Sequence, residues 1–229
     1  HAQQEAEAAD TVTSAARGID AATAAALSRL RVLSSFGVGL DKIDVASFTA
    51  RGIPVGYTPD VLNDCVADLA FGLLIDIGRR LTEGDRFVRA GRWETAAAVG
   101  APGGFPLARK ISGARLGIVG LGRIGQQIAR RASGFSMELR YHSRRPVEGV
   151  PYQHAPDLQA LARWADYLVV ITAGGAATRH LINGAVLDAL GPRGFLVNVS
   201  RGTVVDEQAL LRALQDKRIA GAALDVFEH

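Results

Sequence analysis

Leu116-Gly117-Ile118-Val119-Gly120-Leu121-Gly122-Arg123-Ile124-Gly125 is the stretch from which the fold is read. An apolar run of strand type breaks into Gly-x-Gly-x-x-Gly, and a helical pattern from Ile124 to Ala132 follows at once. Gly120 permits the tight turn out of the strand. Gly122 leaves no side chain where backbone must approach a pyrophosphate, and Gly125 lets helix and strand pack closely. The first N–H groups of such a helix have no partner inside it. They face a bound phosphate with the positive end of the helix dipole behind them. Glycine-rich turns are common, but a strand before and a helix after form the context that a dinucleotide motif requires.

Outward from this motif the chain alternates. Downstream, strands are predicted over residues 137–141, 167–172, 195–199 and 222–226. Helices fall between them over 124–133, 157–165, 184–190 and 206–214. The pattern is that of a Rossmann-type doubly wound parallel sheet, in which ligands bind beyond the strand C-termini where the strand order reverses. Upstream, strands over 11–14, 32–35 and 55–57 alternate with helices over 20–30 and 43–50 in a second, smaller α/β unit. The strand that would precede this unit is not in the sequence. Asn63 or Asp64 can cap a long helix with apolar positions at Val66, Leu69, Ala70, Leu73 and Leu74, running to about Ala90 with a break near Gly84. The domain boundary is placed near Val61, giving residues 1–61 and 62–229. Residues 91–110 are rich in Gly, Ala and Pro yet carry Trp93 and Phe105, which suits an arm packed on something rather than a linker.

Composition narrows the function. The 229 residues are 48% hydrophobic, enough for a substantial core. A net charge of +3, with no long Lys/Arg block and no interleaved aromatics, gives no nucleic-acid groove. Cys65 is the single cysteine, so there is no internal disulfide and no thiolate metal cage, and no metal is expected. No apolar run approaches the roughly 18 residues of a membrane span. A chain beginning at His1 carries no information on targeting, and a reducing compartment, the cytoplasm, is expected.

Coenzyme choice is read at the end of the second strand after the glycines. A carboxylate there would bind a ribose 2′-hydroxyl and favour NAD. This chain has His142-Ser143-Arg144-Arg145-Pro146 instead. Guanidinium groups pair with a 2′-phosphate through charge-assisted hydrogen bonds, so NADP(H) is expected, with NAD(H) the weaker alternative. Further on, Val197-Asn198-Val199-Ser200-Arg201-Gly202 ends a buried strand in an arginine. Its fork can hold a carboxylate and the adjacent carbonyl oxygen of a 2-oxo acid, polarising the bond that receives hydride. Asp206 reads as the cap of the next helix. Asp225, closing the last strand, suits either a nicotinamide carboxamide or a plain strand end.

These motifs resemble those of the D-isomer-specific 2-hydroxyacid dehydrogenases. The resemblance rests on Gly120 to Gly125, on Asn198 to Gly202 continuing through Val205-Asp206-Glu207, and on Gly221-Ala222-Ala223-Leu224-Asp225-Val226-Phe227. Val38-Gly39-Leu40-Asp41 and Gly56-Tyr57-Thr58-Pro59-Asp60-Val61-Leu62 agree with it. Within the family the cofactor loop is most similar to NADP-dependent glyoxylate/hydroxypyruvate reductases. The resemblance implies a Rossmann-type domain and a flavodoxin-like substrate domain that is incomplete in this chain.

The resemblance also implies roles. Backbone of Val38 and Gly39 would bind the substrate carboxylate, and Arg201 would anchor the substrate. Gly122, Arg123 and Ile124 would hold the pyrophosphate, and His142, Ser143, Arg144 and Arg145 the adenosine ribose and its phosphate. Ala173 and Val199 would line the cofactor, and Asp225 would hold the nicotinamide amide. The arm carrying Trp93 would embrace a second subunit in a homodimer. The family's proton donor is a histidine in a later Pro-His segment, and its partner glutamate would fall at the first position past His229. Glu228 is therefore given no role, and His1, His142, His154, His180 and His229 lack the required context. His180 is expected to be a surface or helix-start residue. The expected reaction is NADPH-dependent reduction of a small 2-oxo acid to the D-2-hydroxy acid, in a cleft that closes about the Val61 region. The alternatives are a reductase for larger, aromatic 2-oxo acids and a dinucleotide-sensing corepressor-like scaffold. The missing carboxylate in the cofactor loop counts against a phosphoglycerate dehydrogenase.

Overall fold

A computed structural model describes residues 10–228. Two compact units are present. One runs to residue 63 and takes in Ala173–Gly175; the other holds Asp64–Thr172 and the chain from Ala176 on.

In the first unit β1 (Asp10–Ser14), β2 (Val32–Phe36) and β3 (Val55–Tyr57) lie parallel in that order. Between them run α1 (Ala21–Ala26) and α2 (Val45–Ala50), each started by an aspartate. Thr23 N–H donates to Asp20 Oδ1 at 2.8 Å and Ser47 N–H to Asp44 Oδ1 at 3.0 Å, satisfying helix-start donors that would otherwise lack partners. Leu33 of the central strand packs with Phe48, Ile43, Leu27 and Leu30. α1 stops earlier than its alanine-rich sequence predicts. Arg51 takes over its carboxyl end, donating to the carbonyls of Ala24 (2.6 Å) and Leu27 (2.8 Å).

The second unit is built on six parallel strands. In chain order they are β4 (Arg115–Val119), β5 (Glu138–His142), β6 (Gln153–His154), β7 (Tyr167–Val170), β8 (Phe195–Asn198) and β9 (Gly221–Leu224). Their spatial order is β6-β5-β4-β7-β8-β9, so the order reverses between β4 and β7. Both faces are covered over the middle of the sheet, which is why β7 and β8 are buried along their whole length rather than on alternate residues. Tyr167, Val169 and Val197 face one layer, where Ala70 and Leu74 of α3 (Asn63–Arg79) and Ile128 of α6 (Arg123–Gly134) pack. Leu168, Val170 and Leu196 face the other, against α7 (Leu158–Trp164), α8 (Gly184–Leu190) and α9 (Glu207–Gln215). Each fully buried Leu, Val or Ile stabilises the sheet by about 1.5–3 kcal/mol before entropy is counted. At the lower end of the sheet, Arg115 holds Asp166 through its Nε, Nη2 and main-chain N–H, at 3.0–3.1 Å.

Three further features depart from the sequence reading. The long helix breaks at Arg80, not near Gly84, and resumes as α4 (Leu81–Arg89). Arg80 adopts a left-handed φ of 58°, and Asp76 caps the new helix by accepting from Thr82 N–H and Oγ–H at 2.7 and 2.8 Å. Gly84 is ordinary helix, facing the ring of Phe105. Asn63 and Asp64 lie inside the first turn of α3 rather than capping it, and the Asn63 amide donates back to Asp60 at 2.9 Å. The two-residue β6 edge strand is unanticipated. The arm contains α5 (Arg92–Thr95) and folds back so that Phe105 meets Phe87 edge-on at 5.2 Å. Among the described residues no helix is long and apolar enough to cross a membrane.

Candidate dinucleotide and substrate site

The glycine turn sits where β4 meets α6, beside the reversal in strand order. Gly120 has a φ of 101°, and a Cβ there would lie 2.8 Å from the carbonyl oxygen of Ile171. Neither a side chain nor that φ is tolerated by another residue at low cost. A Cβ at Gly125 would overlap the carbonyl of Gly120, so close approach of helix and strand explains this glycine too. Gly122 is different. It caps α6 in an extended conformation open to any residue, and a Cβ there would meet nothing within 4 Å. Packing does not require a glycine at this position, whereas close approach of a dinucleotide backbone does. No side chain caps α6 and its first turn holds no acidic residue, leaving the positive helix end toward that space. The residues present therefore fit a dinucleotide.

At the end of β5, the next strand outward, His142 Nδ1 lies 2.9 Å from the Ala155 carbonyl. A carbonyl only accepts, so Nδ1 carries the proton and Nε2 is the ring atom left to meet a ligand. Ser143 Oγ–H donates to the Arg145 carbonyl at 2.5 Å. Arg144 and Arg145 are exposed and have no acidic partner among the described residues.

On the other side of the reversal, β8 ends in a buried polar knot. Asn198 and Ser200 are 1% and 3% exposed, among the few buried polar residues of the chain. Ser200 N–H and Oγ–H both donate to Asn198 Oδ1, at 3.1 and 2.6 Å, and Asn198 Nδ2 donates to the Arg201 carbonyl at 3.0 Å. One amide side chain thus folds the turn that projects Arg201, whose Nη1 donates to the Ser200 carbonyl at 2.9 Å. Asp225 N–H donates to the Asn198 carbonyl at 3.0 Å, which sets Asp225 beside this turn at the end of β9. The Asp225 carboxylate is exposed and unpartnered among the described residues. Val199 is buried under the same turn, while Ala173 follows β7 and groups with the first unit. Asp206 caps α9 by accepting from Ala209 N–H at 2.9 Å.

In the first unit, Val38 and Gly39 follow β2 and are half-buried. Thr58 pins the turn before them: Gly37 N–H donates to Thr58 Oγ1 at 2.9 Å and Thr58 N–H to the Gly37 carbonyl at 3.1 Å. The N–H groups of Val38 and Gly39 have no partner among the described residues.

One cluster escaped the sequence reading. His180 lies at the surface, its side chain 38% exposed, and is not a helix start. With a φ of 49° it follows the short 3₁₀ turn Ala176–Thr178, and its Nε2 lies 3.0 Å from Glu228 Oε2. Arg179 reaches Glu228 Oε1 at 2.6 Å. The hydrogen bond from His180, with help from Arg179, holds the Glu228 carboxyl below the usual carboxylate range. A side chain at Gly202 would overlap the backbone of Phe227 and Glu228, so this tail lies directly on the turn after Arg201. Forty-eight residues separate His180 from Glu228, and no local spacing signals the pair. His1 and His229 lie outside the described residues.

Gly120 to Gly125, His142 to Arg145, Val199 to Arg201 and Asp225 therefore stand at carboxyl ends of strands in one sheet. Comparison with known proteins agrees with this layout. Residues 71–229 match the NAD-binding domain of the D-isomer-specific 2-hydroxyacid dehydrogenases. A glyoxylate/hydroxypyruvate reductase of Arabidopsis thaliana is 48% identical over 217 residues, 95% of this chain and 67% of that protein. A hydroxyphenylpyruvate reductase of Plectranthus scutellarioides is 46% identical over 211 residues, 92% of this chain and 65% of that protein. The chain spans about two thirds of the length of these relatives. Among solved structures, the NADPH-dependent glyoxylate/hydroxypyruvate reductase of Sinorhizobium meliloti in complex with NADP and malonate superposes with a TM-score of 0.89. That structure is 42% identical, and the match covers 99% of this chain and 69% of that one. With a nicotinamide dinucleotide as the cofactor for which the second unit is built, the chain belongs to the D-isomer-specific 2-hydroxyacid dehydrogenases.

Proposed function

We propose that the protein reduces a small 2-oxo acid of the glyoxylate or hydroxypyruvate kind to the D-2-hydroxy acid, using NADPH. The observation that carries this reading is Arg201, held by the buried Asn198 amide in the same sheet as the glycine turn. A scaffold that only senses dinucleotide has no use for an arginine so fixed. Bound NADPH supplies the hydride. Arg201 would grip the substrate carboxylate and carbonyl oxygen, stabilising the negative charge that grows on that oxygen. The N–H groups of Val38 and Gly39 would take the carboxylate as well. Gly122, Arg123 and Ile124 would hold the pyrophosphate, and Asp225 would accept from the nicotinamide amide. Ala173 and Val199 would line the coenzyme. Residues 1–61 would then serve the substrate and 62–229 the dinucleotide.

Preference for NADPH over NADH rests on Arg144 and Arg145, on His142 and Ser143 beside them, and on the lack of a carboxylate among residues 142–146. The name of the Plectranthus relative favours a second substrate class, aromatic 2-oxo acids. A homodimer belongs to the same reading, since Leu81, Val88, Trp93 and Leu107 stand exposed along the helical arm. So does a cytoplasmic location, in keeping with the free, exposed thiol of Cys65. The test is oxidation of NADPH and NADH by the full-length protein with glyoxylate, hydroxypyruvate and hydroxyphenylpyruvate, repeated with Arg201→Ala. The substitution should lower kcat/KM about 10²-fold or more while leaving coenzyme affinity intact. An unchanged kcat/KM would sink the assignment, and the best substrate decides between the two classes.

A further inference from the structure

We infer that His154 is a positioning residue for coenzyme choice, acting through the backbone of the loop that carries Arg144 and Arg145. The inference rests on the reading of that loop as the 2′-phosphate site.

His154 belongs to the edge strand β6, twelve residues after the histidine that ends β5, and no dinucleotide motif includes it. Its Nε2 lies 3.0 Å from the Ser143 carbonyl. The acceptor is a carbonyl, so Nε2 carries the proton and the histidine donates. The imidazole is placed for this from below. Its ring lies 5.2 Å from that of buried Tyr141, and the pairing of β6 with β5 sets Tyr141 opposite His154. The far end of the loop is tied to the same tyrosine, whose hydroxyl accepts from Val147 N–H at 2.8 Å. Between the two ties stand Arg144 and Arg145, exposed and without acidic partners among the described residues.

An exposed arginine loses roughly 2 kcal/mol of rotamer freedom when it is fixed, and a loop that wanders adds to that loss. Holding the Ser143 carbonyl removes part of the cost in advance, so both guanidinium groups start from one backbone position. An imidazole that donates to a carbonyl brings no negative charge near the site, unlike the carboxylate that would select NAD. NADH shares the adenosine ribose but has no 2′-phosphate, so it forgoes the charge-assisted pairing that the ordered arginines offer. The effect of His154 should therefore fall chiefly on NADPH.

The test is equilibrium binding of NADPH and NADH to the full-length protein, followed by coenzyme fluorescence. His154→Phe keeps the ring on Tyr141 and removes the donor; His154→Gln keeps a donor and removes the aromatic ring. Loss of one net hydrogen bond predicts that His154→Phe weakens NADPH about 5- to 10-fold and leaves NADH within about twofold. His154→Gln should stay within about twofold of the parent for both coenzymes. In an Arg144→Ala/Arg145→Ala background His154→Phe should have no further effect. Equal weakening of both coenzymes, failure of the Gln variant to rescue, additivity with the arginine changes, or loss of folding in His154→Phe would each overturn the inference. The arginine pair separates two failures. If its removal leaves NADPH affinity unchanged, the phosphate reading of the loop falls; if only His154→Phe is silent, the positioning role falls alone.

Discussion

Gly120 and Gly122 are two residues apart, yet they should fail in opposite ways when each is changed to alanine. At Gly120 the new side chain must accept a φ of 101° and a Cβ 2.8 Å from the Ile171 carbonyl oxygen. Backbone strain of about 1–3 kcal/mol and the steric contact together predict a loss of roughly 2–4 kcal/mol in folding stability. At Gly122 the Cβ meets nothing within 4 Å and the backbone is extended, so only the poorer helix-capping of alanine remains, about 0.5 kcal/mol. The cost appears instead when a dinucleotide is added. If the methyl group prevents one charge-assisted hydrogen bond from backbone N–H to pyrophosphate, about 1.5–3 kcal/mol of binding is lost. That corresponds to roughly a 10- to 150-fold rise in Kd. Denaturant unfolding without ligand, set beside NADPH titration, measures both quantities on the same samples. A Gly122→Ala variant that binds NADPH as tightly as the parent would refute the placement of the pyrophosphate. One that loses more than about 2 kcal/mol of stability would show that the open space is not open.

Two further outcomes follow from the same structure. Burial works to raise the Asp166 carboxyl, but the guanidinium and main-chain N–H of Arg115 outweigh it and hold the group below its ordinary value of 3.8. A lowered folded pKa adds stability that is complete above the unfolded value and lost as pH falls through the folded one. Asp166→Asn should thus cost about 1–2 kcal/mol near neutral pH for this partly exposed pair, and the gap to the parent should close below about pH 4 in acid denaturation. Asn198→Ala strands the buried Ser200 hydroxyl and the half-buried Arg201 carbonyl. It should lower stability by about 2–3 kcal/mol and kcat/KM by tenfold or more, measured by thermal unfolding and steady-state kinetics.

Most of the fold was legible because its determinants are local. Capping aspartates at residues 20, 44, 157 and 206, the glycine turn and the apolar strands all lie within a few residues of what they specify. The break at Arg80 was not legible, since a left-handed arginine has no sequence mark and its cause is the side chain of Asp76 reaching forward to Thr82. Gly84 drew attention there because glycine is weak in helices, but one interior glycine costs only about 1 kcal/mol and tertiary contact with Phe105 covers it. In the candidate site, the residues on strand ends could be picked out by motif and chemistry. The supports behind them could not. Thr58 under Gly37, His154 under Ser143 and Glu228 with His180 join residues 11 to 48 positions apart, and only the strand order brings them together.

The Asn198 knot ties two functions to one side chain and its own peptide group. Its amide shapes the turn of Arg201, while its carbonyl fixes where Asp225 leaves β9. On the proposed roles of Arg201 and Asp225, a grip on substrate and a grip on coenzyme would share a common datum, like two gauges zeroed on one mark. Under the proposed function, pocket walls could then change shape around larger or smaller acids without disturbing that mark, and substrate range could shift while the alignment for hydride transfer is kept.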